Sequence, residues 1–248
     1  MTSNFNIKGN SSSEEYKRRD DFYDLFKHSP ITENEVLTNL GLYTSRQTLT
    51  RMLFMHELYK KIINTHGIIM EFGVRWGQNL ALFENFRGMY EPFNYNRKIV
   101  GFDTFAGFSS VSSKDKNVQD GDYGVSENYK EYLEKVLSYH ESESPISHLK
   151  KYELVKGDAS VTLKEYLENN PHTIIALAYF DFDIYEPTKE CLKLIKNHIT
   201  KGTILGFDEF NETNFPGETI ALSEVLGLSS YRIQRLPISP LQSFIEID

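Results

Sequence analysis

A single cysteine, Cys191, leaves nothing for an internal disulfide to pair with, so a reducing compartment is the simpler setting. It falls in a helical stretch, where a buried thiol serves as a small apolar filler more readily than as a nucleophile. No run approaches the ~18 apolar residues of a membrane span, and Met1–Thr2–Ser3–Asn4–Phe5 lacks the basic start and apolar block of a secretory signal. A cytoplasmic protein with no membrane role is expected. Basic residues are in deficit, 27 Lys and Arg against 35 Asp and Glu, for a net charge of -8. That balance excludes broad binding to a nucleic-acid backbone, which needs a basic surface, and suits a small-molecule site or a divalent cation. No internal repeat is visible.

What is present is an ordinary globular composition, 40% hydrophobic and 25% charged over 248 residues, enough for one large α/β domain. The first ten or so residues read as a mobile arm. Phe22, Tyr23, Leu25 and Phe26 then recur at helical spacing, so a short helix packs on the main body or on a second copy in a dimer. Residues 1–44 form this extension, as lid or dimer contact, and 45–248 the main domain. Ser45 is a candidate N-cap for a long amphipathic helix carrying Leu49, Met52, Leu53, Met55, Leu58, Tyr59, Ile62 and Ile63. Apolar runs at 68–72, 98–102, 152–156, 173–180 and 202–207 alternate with helical stretches at 80–86, 126–139, 160–169, 187–198 and 218–226. That alternation is a doubly wound, Rossmann-like sheet. Segments 231–235 and 243–247 add an antiparallel hairpin, for seven strands in all. The run at 173–180 is apolar on both faces and belongs in the middle of the sheet.

The first strand leads through Glu71, Phe72, Gly73, Val74, Arg75, Trp76, Gly77, Gln78 and Asn79 into a helix. A dinucleotide fingerprint needs a glycine midway, so that backbone can approach a pyrophosphate. Here Val74, Arg75 and Trp76 stand in that space. S-adenosyl-L-methionine carries no phosphate and needs only a turn beneath its methionine part, so it is favoured over NAD, with two glycines serving strand–helix packing alone as the bland alternative. Asp103, followed by Thr104 and Phe105, closes the second strand, where a carboxylate can accept both ribose hydroxyls. Gly157, Asp158 and Ala159 close the third, either at the adenine edge or with Asp158 capping the next helix. Asp181, Asp208 and Glu209 close two strands that lie side by side. Adjacent strands are ~4.8 Å apart, so three hard oxygen donors can converge there on Mg²⁺ or Mn²⁺. Asp183 reads as a helix-start residue or outer support, and His140 and His148 as candidate bases.

Five pieces together resemble the macrocin-type (TylF/MycF-like) sugar O-methyltransferases. They are Glu71–Gly77, Gly101–Phe108, Val155–Asp158, Asp181–Thr188, and Asp208–Phe210 followed by Pro216–Gly217, in that family's order over roughly residues 45–226. The resemblance implies a metal held by Asp181, Asp208 and the residue after it. It also implies cofactor contacts from the first turn, Asp103 and the Gly157–Asp158 region. Two departures stand out. Asp208–Glu209–Phe210 replaces the usual Asp-Asp-Tyr, which lengthens the third ligand by a methylene, and Thr200–Lys201–Gly202 replaces Pro-Gly-Gly. The function so implied is S-adenosylmethionine- and metal-dependent methylation of a carbohydrate hydroxyl, with Asp181 or a nearby base taking the proton. The rivals are a catechol-type O-methyltransferase and a non-catalytic nucleotide-binding module.

Overall fold

The structure is a computed structural model and describes residues 11–248; the expected arm over the first ten residues lies outside them. In chain order the elements are α1 (Ser13–Lys27), α2 (Glu33–Thr38), a 3₁₀ turn (Leu40–Leu42) and α3 (Arg46–Ile62). The α/β alternation follows: β1 (Ile68–Phe72), α4 (Gln78–Tyr90), β2 (Ile99–Asp103), α5 (Tyr129–Ser142), β3 (Tyr152–Lys156), α6 (Ala159–Asn169) and β4 (Ile175–Phe180). Then come α7 (Tyr185–Ile195), β5 (Ile199–Phe207), α8 (Gly217–Val225) and β6 (Ser243–Glu246). Ser45 caps α3 by accepting the Thr48 N–H at 3.1 Å, which satisfies one of the free donors of the first turn. Helix α5 begins three residues later than its apolar pattern predicts, because Asn128 sits at φ +58°, in the left-handed region.

The strands pair in the order β3-β2-β1-β4-β5-β6, parallel except for β6 against β5. Six strands replace the expected seven. Residues 231–235 keep one ladder position, Gln234 opposite Phe244, with two N–H···O bonds of 2.8 Å. Pro237 has no N–H with which to carry the pairing onward. The six residues of β4 are all buried, as expected of the strand between β1 and β5. Helices α3, α4 and α5 cover one face of the sheet through Leu58, Phe83 and Leu137. Helices α6, α7 and α8 cover the other through Leu163, Leu192, Cys191 and Leu222.

The chain reverses direction of growth between β1 and β4, and a crevice opens at that point, beyond the carboxyl ends of the strands. Behind it, within the buried core, runs a row of four rings. Phe102, Phe72, Phe180 and Phe207 occupy facing positions on β2, β1, β4 and β5, with centroids 5.3, 4.9 and 5.2 Å apart. Each ring is the residue immediately before a candidate site residue: Asp103, Gly73, Asp181 and Asp208. Packed rings of this kind add about 0.5–1.5 kcal/mol per pair beyond burial, and they hold the four strand tips level.

Candidate active site

Above the ring row lies a cavity of about 500 Å³. Its wall takes Gly73, Val74, Arg75, Gly77 and Asn79 from the first turn, together with Asp103 and Thr104. Gly157, Asp158 and Ala159 come from the β3–α6 turn, and Asp181, Asp208 and Glu209 from the tips of β4 and β5. Two of the expected residues stand back from it. Phe105 sends its ring into the core beneath α5, and its backbone N–H bonds Asp103 Oδ1 at 2.5 Å. Glu71 is buried behind Asn79, whose amide donates to Glu71 Oε1 at 2.8 Å. Glu71 Oε2 has no protein partner, and burial pushes this carboxyl well above its usual range, with Asp181 adding to the rise.

The first turn is shaped by close approach. Gly73 has φ +91°, and a Cβ there would lie 2.0 Å from the Asp181 carbonyl oxygen, so only glycine lets the β1 tip pass the β4 tip. Asp103 accepts the Arg75 N–H at 2.7 Å as well as the Phe105 N–H. Asp158 takes the capping role, one of the two expected of it. Oδ1 caps α6 through the Ser160 N–H at 2.9 Å, and Oδ2 accepts the Ser109 and Ser110 hydroxyls at 3.3 Å. Those serines open the long polar loop, which folds back over the cavity. Asp115 accepts the Tyr185 N–H at 2.8 Å, and Lys114 pairs with Glu224 while lying 3.7 Å from the Tyr185 ring centroid.

At the tips of β4 and β5 the carboxylates converge. Asp181, Asp183 and Asp208 each bring one oxygen to within 4.8 Å of the other two. Asp183 therefore does not start α7, whose N-cap is Ile184; at φ +61° its backbone turns the side chain into the cluster. Glu209 stands beside this trio on the same wall, with Oε2 buried and without a protein partner. Burial, reinforced by Asp208 and Asp181, pushes the Glu209 carboxyl up to about 8. Burial also lifts Asp181 to about 7, with Arg51 pulling the other way and Asp208 adding to the rise. Three hard donors and a partnerless fourth are the chemistry a divalent cation takes.

The sequence reading missed Arg51. It projects from α3 between the strand tips, bonds Asp181 Oδ2, and reaches Asp208 Oδ2 at 2.9 Å. Periodicity marks Arg51 only as a polar position on an amphipathic helix. A cation that interrupts the core face of a helix near the sheet's carboxyl edge was the available signal. Glu218, fully buried in the first turn of α8, was missed too. Its two oxygens accept the Asp183 N–H at 3.3 Å and the Glu209 N–H at 3.1 Å. Neither candidate base reaches the site: His140 contacts Asn85 on the flank of α5, and His148 is exposed in the α5–β3 loop. Their local helical and loop contexts carry them away from the sheet's carboxyl edge.

No protein-family model and no curated sequence matches the chain, whereas solved structures do. The calicheamicin methyltransferase CalS11 is 42% identical, with a TM-score of 0.91, over 96% of this chain and 94% of that one. The chain belongs to the CalS11 family of O-methyltransferases. An apo structure of CalS11, described as a TDP-rhamnose 3'-O-methyltransferase of calicheamicin biosynthesis, agrees at 40% identity and TM-score 0.85, covering 96% of each chain. The O-methyltransferase NovP, at 17% identity and TM-score 0.58 over 80% of this chain and 79% of that one, shares the fold. The sheet is accordingly that of a class I, Rossmann-like methyltransferase. No helix among the described residues is long and apolar enough to cross a membrane.

Proposed function

We propose that this enzyme methylates a sugar hydroxyl from S-adenosyl-L-methionine with the help of a divalent cation, Mg²⁺ or Mn²⁺, in the manner of the macrocin-type methyltransferases. The observation that carries the reading is the carboxylate trio, Asp181, Asp183 and Asp208, set into the wall of the cavity that the first turn lines. CalS11 is described as acting on TDP-rhamnose, so a nucleotide-linked sugar is the first acceptor to test. The carbohydrate acceptor is the small-molecule partner, and the compartment is the cytoplasm.

Asp181, Asp183 and Asp208 would hold the cation, with Glu209 as the neighbouring donor. A bound divalent ion acidifies an oxygen it touches, which makes a neutral hydroxyl a competent nucleophile. Asp181 is the residue assigned to take the hydroxyl proton. Asp103 lines the cavity and can accept ribose hydroxyls. Asp158, Ser109 and Ser110 offer polar atoms for a purine edge. The N-terminal segment through residue 44 leaves Leu25, Leu37 and Leu42 exposed, and a second copy of this chain is the proposed cover for them.

The test is methyl transfer to a panel of sugar nucleotides and catechols, before and after chelation. A sugar nucleotide should be methylated, lose its methylation in EDTA and regain it with Mg²⁺. Transfer that survives complete chelation removes the cation from the mechanism, and a catechol preference replaces the acceptor class. Absence of S-adenosylhomocysteine binding by calorimetry would leave only a silent module.

A further inference from the structure

Arg51 and a divalent cation compete for the same carboxylates. On Asp208, Oδ1 accepts the Tyr179 hydroxyl at 2.6 Å and the Gln242 amide at 3.1 Å, which uses both of its acceptor positions. Oδ2 is the oxygen left for a metal, and Arg51 Nη1 already holds it at 2.9 Å. On Asp181, Arg51 Nη2 holds Oδ2 in the same way. The planar guanidinium thus bridges the β4 and β5 tips as a fork, a geometry in which Arg outperforms any point charge. Its Nε faces Asn79 Oδ1 at 3.4 Å, so α3 also touches the first turn at this residue. Arg51 is only partly exposed, while Asp208 is almost wholly buried, so water does little to screen the pairing.

We propose that Arg51 is the resident counter-ion of the carboxylate cluster, and that a divalent cation binds by displacing its guanidinium from Asp181 and Asp208. The inference rests on the cation clause of the proposed function. Without a cation, Arg51 neutralises carboxylates that would otherwise repel one another at the strand tips. With one bound, two positive centres would stand within a few ångströms of each other in a poorly screened wall, so the guanidinium has to withdraw along the α3 side. The side chain therefore sets how tightly the cation is held, and it keeps the cluster assembled until the cation arrives.

The experiment compares the full-length wild type with R51Q and R51K. Mn²⁺ binding is read by the loss of the free-ion electron paramagnetic resonance signal, and thermal unfolding is followed in EDTA and in Mn²⁺. R51Q should bind Mn²⁺ about tenfold more tightly or better, because one repelling charge is gone. It should also melt below wild type in EDTA and recover more than wild type when Mn²⁺ is added. R51K keeps the charge but grips one carboxylate at a time, so its Mn²⁺ affinity should fall between the two, and it covers the case in which R51Q does not fold. Wild-type binding with no gain in either variant overturns the displacement proposal and leaves the cation clause standing. No Mn²⁺ binding by any of the three proteins overturns the cation clause, and the displacement proposal with it.

Discussion

Glu84 shows how far a single buried carboxylate can go without a partner. It lies in α4 facing the space between α5 and the start of β3, almost fully buried, and neither of its oxygens has a hydrogen bond from the protein. Burial pushes its carboxyl up to about 8, against the pull of Arg87 and with Glu141 adding to the rise; Lys151 and Lys150 also pull it down. Arg87 and Lys151 are both committed to Glu141. Between pH 4.5 and 8 the folded protein keeps a proton that the unfolded chain has released, so stability falls as pH rises through that window and levels off above it. The integrated loss is on the order of 5 kcal/mol. E84Q should remove that slope. Urea unfolding at about pH 5 and about pH 8 should show wild type losing stability relative to the variant; parallel behaviour of the two proteins would place the slope elsewhere.

At the scale of elements, the site depends on two turns from different strands holding one spacing, and α8 supplies the brace. Glu218 ties the β4–α7 turn to the β5–α8 turn through the Asp183 and Glu209 backbone N–H groups. A Cβ on the neighbouring Gly217 would lie 2.6 Å from the Tyr185 nitrogen and 2.8 Å from Asp115 Oδ1, so α8 abuts the start of α7 and the long loop at once. E218A should cost about 1–3 kcal/mol for each donor left without a partner, and it should weaken Mn²⁺ binding. E218Q keeps one acceptor oxygen and should recover part of both losses. Equal urea midpoints for wild type and E218A would show that the two turns hold their spacing unaided.

At the scale of the whole molecule, a three-layer body of sheet and flanking helices contrasts with α1, which has no buried residue. The Phe26 ring of α1 packs on Tyr43, 4.9 Å between centroids. Deleting residues 1–27 should therefore change the unfolding free energy of the body by less than about 1 kcal/mol. The same deletion should lower the oligomeric state seen by light scattering, if a second copy covers Leu25 and its neighbours. An unchanged mass would assign those side chains to another role.

The strand–helix alternation, the central place of residues 175–180, the cap at Ser45 and the acidic ends of the strands were all legible in the sequence. Each depends on neighbours within a few positions: period, propensity or a capping side chain. The four phenylalanines before Gly73, Asp103, Asp181 and Asp208 were equally visible as letters. Their alignment into one row waited on strand register, which no single segment contains. Tertiary structure alone decided that Arg51, 130 residues from Asp181 and 157 from Asp208, would meet both carboxylates. It also decided that Asp183 would turn inward and that Phe105 would turn away. The strand expected at 231–235 shrank to a single pair for the same kind of reason. Local patterns state what a segment prefers, whereas charge pairing and pairing between distant strands depend on which surfaces the finished fold brings together.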